Sequence, residues 1–227
     1  MDDAQEMTRM NSTSGNQQIL EEIGKAVVSR NEPATDSLIE QALNSGIDAA
    51  VVRDALVSGL DASRKSFMTK RLYLPEFILT VDAVTRALEK VSTLSETNPS
   101  DGISLVIGVV EGDPHDLGKN IIAGVYRAYG YQIIDLGKDI PKRAFMDAVR
   151  EYDARILALS AMMSTTMPAM EDIIRDARGY AKDLAVIVGG APLDMAVAQA
   201  YGADGFAPSA VTVIEETRSA YKRVFSV

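Results

Sequence analysis

The sequence contains no cysteine and only one histidine, His115. The absence of cysteine excludes disulfides, thiolate zinc sites and iron–sulfur clusters. Acidic residues outnumber basic ones, 32 to 23, and the net charge of −9 argues against a surface for nucleic acid or for an anionic membrane. No apolar run approaches the roughly 18 residues of a membrane span, and the polar N-terminus lacks the apolar core of a secretory signal. We therefore expect a cytoplasmic protein.

The first part of the chain is predicted to be helical. Residues 1–16 are polar and rich in Ser, Asn and Met, so we expect a mobile tail there. Over residues 17–94, apolar side chains recur at helical spacing in four segments with short polar connections. Asp48 is placed to cap the third segment, and Pro75 suits the first turn of the fourth. This pattern predicts an all-α four-helix bundle.

The second part of the chain has a different periodicity. Residues 95–102 are polar and contain Pro99 and Gly102, which indicates a linker. Over residues 103–227, apolar runs that are typical of buried strands alternate with helical segments. The pattern predicts an α/β domain of flavodoxin-like (Rossmann-type) order, with a five-stranded parallel sheet that binds ligands beyond the carboxyl ends of its strands. The strands are predicted near residues 103–110, 131–136, 155–160, 184–190 and 204–206.

Polar residues and glycines follow these predicted strands. A neutral imidazole is a metal ligand, and a carboxylate such as Asp113 on its other nitrogen fixes the tautomer and raises the basicity of the ring. Because one histidine cannot complete a metal site of several nitrogens, the remaining ligands would come from a cofactor. The residues at the predicted rim are Asp113, His115 and Gly118 after the first strand, Ser160, Ser164 and Thr166 after the third, Gly189 and Gly190 after the fourth, and Ala207 and Pro208 after the fifth.

Each of these residue types also has a purely structural explanation. Single histidines in loops are mostly solvated, and Ser or Thr after a strand often caps a helix. A Gly-Gly pair after a strand often makes a tight turn. The methionines between residues 162 and 170 are typical packing residues. The patterns alone therefore leave a ligand site and a plain scaffold both open.

Three spaced motifs resemble those of a known family. The stretch DPHDLG (113–118) is similar to the Asp-x-His-x-x-Gly signature of cobalamin-binding domains. SAM (160–162) resembles the Ser-x-Leu motif of that family, with methionine in place of leucine, and Gly189-Gly190 follows in order. The helical half, with LPE (74–76) before an apolar helix, is similar to the cap domain of the family. Over residues 17–225 the chain resembles the small corrinoid proteins of anaerobic methyltransferase systems, which serve methylamines, methanol, betaines or aryl methyl ethers.

The resemblance implies roles for individual residues. His115 would be the metal ligand on the lower face of cobalt, replacing the cofactor's own dimethylbenzimidazole, and Asp113 would hydrogen-bond His115 and tune it; these two are the residues expected to serve catalysis. The displaced base and its tail would thread into the sheet beside Gly118, Ser160 and Gly189-Gly190, with Ser164 and Thr166 lining the tail pocket. The other cofactor-binding residues that the resemblance implies are Asp116, Leu117, Met162, Ala207 and Pro208.

The resemblance also implies a methyl-carrier function. Co(I) would take a methyl group from a substrate held by one methyltransferase, and methyl-Co(III) would pass it to a folate or thiol held by an acceptor methyltransferase. A reductive activation protein is a further expected partner. The helical bundle would cover the methyl-bearing face and would have to move. The protein would thus be the corrinoid subunit of a methyltransferase system.

Three alternatives remain open from the sequence. A cobalamin-based sensor or regulator usually adds a DNA-binding head, for which this acidic chain offers no basic segment. An adenosylcobalamin mutase subunit would need a radical-handling barrel on another chain. A receiver-like signalling domain shares the flavodoxin-like order but would want an aspartate after the third strand, where this chain has Ser160.

Overall fold

The computed structural model describes residues 2–95, 102–181 and 183–226. The chain divides into two compact units, Met1–Pro99 and Ser100–Val227. The division lies within the predicted linker, of which residues 96–101 are outside the described ranges. Within those ranges, no helix combines the length and the apolar character that crossing a membrane requires.

The first unit consists of four helices: α1 (Asp2–Val28), α2 (Glu32–Asn44), α3 (Ala49–Met68) and α4 (Leu74–Ser95). Helices α1 and α4 each pack against both α2 and α3. As predicted, the Asp48 side chain caps α3 by accepting a hydrogen bond from the Ala50 amide at 2.7 Å, and Pro75 lies in the first turn of α4. Side chains from all four helices form the buried core: Ile23, Ile39, Leu56, Leu60, Phe77 and Val84.

The N-terminal residues that the sequence analysis treats as a tail are helical in the structure. Helix α1 begins at Asp2 and includes residues 2–16, and the mobility predicted for this segment stays a prediction. The polarity of this segment indicates only that it offers no apolar stripe for packing. The segment contains Ala, Gln, Glu, Met and Arg, which are residue types with good helix propensity.

The second unit is a five-stranded, all-parallel sheet of order β2-β1-β3-β4-β5, which confirms the predicted flavodoxin-like architecture. Helices connect the successive strands. The strands are β1 (Ser104–Val109), β2 (Gln132–Asp135), β3 (Ile156–Ser160), β4 (Ala185–Gly189) and β5 (Gly205–Phe206). The helices are α5 (Leu117–Ala128), α6 (Lys142–Glu151), α7 (Pro168–Tyr180), α8 (Met195–Ala200) and α9 (Val213–Phe225).

The three central strands are apolar because helices cover the sheet on both faces. Residues 105–110 of the β1 segment are all buried. One of them, Gly108, lets α6 pack closely, since a Cβ at this position would lie 2.6 Å from the Phe145 ring. This burial makes the central strands a rigid support for the loops that leave them.

The register of the sheet aligns the carboxyl ends of the central strands. Val109 of β1 pairs with Ser160 of β3, and Ser160 pairs with Gly189 of β4. The chain leaves β1 for β2 on one side, whereas β3 lies on the other side. Such a switch in strand order opens a crevice where doubly wound sheets bind their ligands.

Candidate functional site

Residues 111–116, which we call the His115 loop, connect β1 to α5 at this switch point. Gly112 has a φ of +82°, a conformation that favours glycine. The Asp113 amide donates a hydrogen bond to the Val110 carbonyl at 3.2 Å. The loop buries Asp113 completely and leaves 56% of the His115 side chain exposed.

The Asp113 carboxylate accepts five hydrogen bonds. Oδ1 accepts from the amide and from the ring Nδ1 of His115, at 3.1 and 2.9 Å. Oδ2 accepts from the Met162 amide at 2.6 Å, the Met163 amide at 3.1 Å and the Thr166 hydroxyl at 2.9 Å. The carboxylate therefore joins the loop after β1 to the loop after β3.

These hydrogen bonds keep Asp113 ionised. Burial alone would raise its pKa, but the hydrogen bonds from the Met162 amide, from both groups of His115 and from the Thr166 hydroxyl outweigh burial and hold the pKa well below 3.8. An ionised carboxylate can only accept, so the His115 Nδ1 must carry the proton in this contact. In the neutral tautomer that has its proton on Nδ1, the lone pair is on Nε2.

The Nε2 atom of His115 has no hydrogen-bond partner among the residues that the structure describes. The same ranges contain no cluster of three or more His, Asp or Glu side chains that could hold a metal ion. The site therefore offers one oriented nitrogen ligand and no protein ligand set. This chemistry suits a metal that brings its other ligands with it.

Thr166, which is predicted to line a tail pocket, is only 9% exposed, and its hydroxyl donates to Asp113. Its direct contact is therefore with the carboxylate that orients His115. Its place in a tail pocket stays a prediction. Ser164, by contrast, is exposed.

The glycines at the rim differ in what surrounds them. A Cβ at Gly118 would meet no atom within 4 Å, so the start of α5 borders open space. At Gly190, which has a φ of +146°, a Cβ would lie 1.7 Å from the Ala161 carbonyl oxygen. A Cβ at Gly189 would lie 3.2 Å from the Ala207 carbonyl oxygen. Gly190 is thus required by the close approach of the chain's own backbone.

The remaining predicted residues lie at the same edge with varied exposure. Ser160 ends β3 and is half-buried, and Ala207 is buried after β5. Met162 contributes its amide to Asp113, while its side chain is 42% exposed. No hydrogen bond in the described ranges joins the side chains of Ser160, Ser164 or Met162 to the His115 ring. The other exposed or half-buried members of the set are Asp116, Leu117 and Pro208.

Sequence reasoning missed three residues that hold the loop. The Asp139 carboxylate accepts the Gly112 amide at 2.7 Å, and the buried Lys119 ammonium contacts Asp135. The available signal was Lys119 directly after Gly118, together with an aspartate at the carboxyl end of a strand. Neither pattern identifies its partner, because each contact joins distant parts of the sequence.

Comparison with known proteins identifies the family of this chain. A sequence profile described as the B12 binding domain matches residues 103–224. The chain belongs to the B12-binding-domain family. This confirms the resemblance inferred from the motifs and decides against the receiver-like alternative. Cobalamin is therefore the cofactor.

Relatives of this B12-binding protein match nearly its whole length. Dimethylamine corrinoid protein 1 of Methanosarcina acetivorans is 29% identical over 206 residues, covering 89% of this chain and 97% of that protein. Trimethylamine corrinoid protein 1 of the same organism is 30% identical over 210 residues, with 89% and 97% covered. A crystal structure of a cobalamin-binding protein from Desulfitobacterium hafniense matches with a TM-score of 0.77 at 25% identity, covering 88% of this chain and 98% of that one.

The residues of the site fit a cobalamin. The corrin ring would bring most of the ligands of its cobalt, and His115 Nε2, which has no partner among the described residues, would be available to supply another. The open space beside Gly118 would accept a bulky group next to that donor. The contacts that individual residues make with the cofactor remain predictions.

Proposed function

We propose that this B12-binding protein is a corrinoid methyl carrier. It binds cobalamin through His115 Nε2, which takes the place of the cofactor's own lower base. It passes a methyl group between a substrate-specific methyltransferase and an acceptor methyltransferase that holds a folate or thiol. The observation that carries the proposal is the oriented pair in which Asp113 binds His115 Nδ1 and leaves Nε2 free.

The extent of the similarity supports a carrier over other cobalamin proteins. A B12-binding domain alone also occurs in sensors and mutases, but the two methylamine relatives match the helical unit as well, since each match covers 89% of this chain. Their names describe corrinoid proteins for dimethylamine and trimethylamine. A methylated amine is accordingly the first donor to test, and the partner methyltransferase would select it.

Each residue of the site has a defined task in this proposal. When bound, cobalamin would supply the metal that carries the methyl group. His115 would provide a nitrogen ligand to that metal, and Asp113 holds the protonated Nδ1 so that the ring keeps one tautomer and one direction. The two methionine amides and the Thr166 hydroxyl keep Asp113 charged and fixed.

The proposal includes a third partner and a place in the cell. A protein that reductively reactivates the oxidised cofactor would serve the carrier between turnovers. We place the carrier and these partners in the cytoplasm.

The first test is reconstitution with hydroxocobalamin followed by removal of free cofactor. We expect the wild type to retain one cobalamin per chain and His115→Ala to show a changed visible spectrum from loss of the nitrogen ligand. A methylamine-specific methyltransferase should then methylate the loaded wild type. Failure of the wild type to retain cobalamin, or an unchanged spectrum in the variant, would contradict the proposal.

A further inference from the structure

An ion pair between a buried lysine and a partly exposed aspartate lies next to the His115 loop. Lys119, in the first turn of α5, is 2% exposed, and its Nζ lies 2.6 and 2.7 Å from the two carboxylate oxygens of Asp135 at the end of β2. The Gly137 amide donates to Oδ1 of the same carboxylate at 2.9 Å. The pair connects the carboxyl end of β2 to the residue that directly follows Gly118.

Stability alone does not explain such a pair. Desolvation of the buried Lys119 ammonium offsets much of its attraction to the partly exposed Asp135 carboxylate, so the pair adds little net stability. What an ion pair adds is geometry, because Lys119 must reach both oxygens of one fixed carboxylate. The Lys119–Asp135 contact therefore sets where α5 begins relative to the sheet.

The Lys119–Asp135 contact lies at the end of the His115 loop that leads into α5. Residues 136–141, the segment after β2, hold the end of the loop that follows β1. Oδ1 of Asp139 accepts the Gly112 amide at 2.7 Å. The same segment is attached to β1, since the Val109 amide donates to the Gly137 carbonyl and the Ile140 amide donates to the Val109 carbonyl, both at 3.0 Å. Both ends of the His115 loop are thus fixed from one side of the switch point.

We propose that Lys119, Asp135 and Asp139 are positioning residues that hold the His115 loop in its ligating conformation before cobalamin binds. This inference rests on the proposed ligand role of His115 and deepens it. A loop that is already ordered does not lose conformational entropy when the cofactor arrives, so cobalamin binds more tightly.

The test uses variants at both ends of the loop, each with a matched control. The double variant Lys119→Met/Asp135→Leu replaces the ion pair by apolar groups, and Lys142→Met removes a lysine that pairs with Asp176 at 2.8 Å on an exposed surface. Asp139 has a φ of +56°, so Asp139→Gly keeps the backbone conformation while removing the acceptor. Asp139→Asn retains a side-chain oxygen and is its control.

Two measurements separate the inference from the proposed function. Amide hydrogen exchange of residues 111–118 in the cofactor-free protein should become faster in the double variant and in Asp139→Gly, and remain unchanged in both controls. Cobalamin affinity should fall about tenfold in the same two variants, in line with other residues that orient a metal ligand. Electron paramagnetic resonance of the protein loaded with cob(II)alamin should show a smaller fraction with nitrogen splitting.

The outcomes are distinguishable. The wild type must first show the nitrogen splitting. If hydrogen exchange, cobalamin affinity and nitrogen splitting are then unchanged in the variants, the positioning role is overturned and the proposed function stays intact. A wild type without nitrogen splitting would overturn the proposed function, while the exchange experiment would still test the loop. Thermal unfolding shows whether the double variant folds. If it does not fold, the exchange and affinity of Asp139→Gly decide whether the positioning role holds.

Discussion

The Nδ1 atom of His115 lies 2.9 Å from Oδ1 of Asp113, a carboxylate with no exposed surface. The five hydrogen bonds to this carboxylate hold it in one place and in its charged form. The contact therefore determines both the direction of the imidazole ring and the nitrogen that carries its lone pair. The predictions for Asp113 and Thr166 follow from this arrangement.

Replacement of Asp113 by Asn should weaken both the fold and cobalamin binding. One of the two carboxylate oxygens would become an NH₂ group, which is a donor. It would face either the two His115 donors or the Met162, Met163 and Thr166 donors, and those hydrogen bonds would be lost. We expect cobalamin affinity to fall about 10- to 100-fold. Cofactor titration and urea unfolding measure the two effects. A variant with wild-type affinity for cobalamin would show that His115 binds the cofactor without the hydrogen bond to Asp113.

The folded protein should lose stability in acid through Asp113. Its pKa is lower in the folded state than the ordinary value of 3.8. A group with a depressed folded pKa stabilises the fold above its unfolded pKa, and that contribution disappears as the pH falls below about 3.8 toward the folded pKa. Carboxyl ¹³C NMR should show Asp113 ionised below the pH at which exposed aspartates titrate. Titration of Asp113 together with them would contradict the prediction.

Removal of the Thr166 hydroxyl tests the support of Asp113 separately. Thr166→Val keeps the shape of the side chain but leaves Oδ2 of Asp113 with one fewer donor. Hydrogen bonds to charged groups contribute roughly 1.5–3 kcal/mol, so the free energy of unfolding should fall by about that amount. Thr166→Ser restores a hydroxyl and should recover most of it. Equal stability of the Val and Ser variants would show that the hydrogen bond from Thr166 to Asp113 does not stabilise the fold.

Gly118 and Gly190 should respond differently to alanine. Gly118→Ala meets no protein atom and lies in a helix, where alanine is more favourable than glycine by about 1 kcal/mol, so the fold should be at least as stable while cobalamin binds less tightly. Gly190→Ala places a Cβ 1.7 Å from the Ala161 oxygen and should severely destabilise the fold. Thermal unfolding and cobalamin titration compare the two. An unaffected cobalamin affinity in Gly118→Ala would mean that the cofactor does not approach this residue.

Much of the fold follows from local patterns in the sequence. Strand and helix periodicity predict all five strands and the order in which elements follow one another. The capping role of Asp48 and the place of Pro75 are also local, so the sequence predicts them correctly. At residues 2–16 polarity predicts a mobile tail, and the structure has a helix there because polar residues can have high helix propensity; the mobility of this segment stays a prediction.

The site was predictable only in part, because several of its contacts join distant residues. The motif identifies Asp113 and His115, which are two residues apart. It does not reveal that Thr166 donates to Asp113, since 53 residues separate them and the register of β1 and β3 brings them together. The ion pair of Lys119 with Asp135 and the backbone contact at Gly190 have the same origin. Spacing along the chain carries no information about such contacts.

The central claim is that the lone histidine binds cobalt, and isotopic labelling tests it directly. Protein containing nitrogen-15 histidine, loaded with unlabelled cob(II)alamin, is examined by electron paramagnetic resonance. Because His115 is the only histidine, any effect of the label on the nitrogen splitting assigns the ligand. We predict that the three-line pattern of nitrogen-14 becomes the two-line pattern of nitrogen-15. An unchanged three-line pattern would show that the cofactor keeps its own base, and would contradict the account.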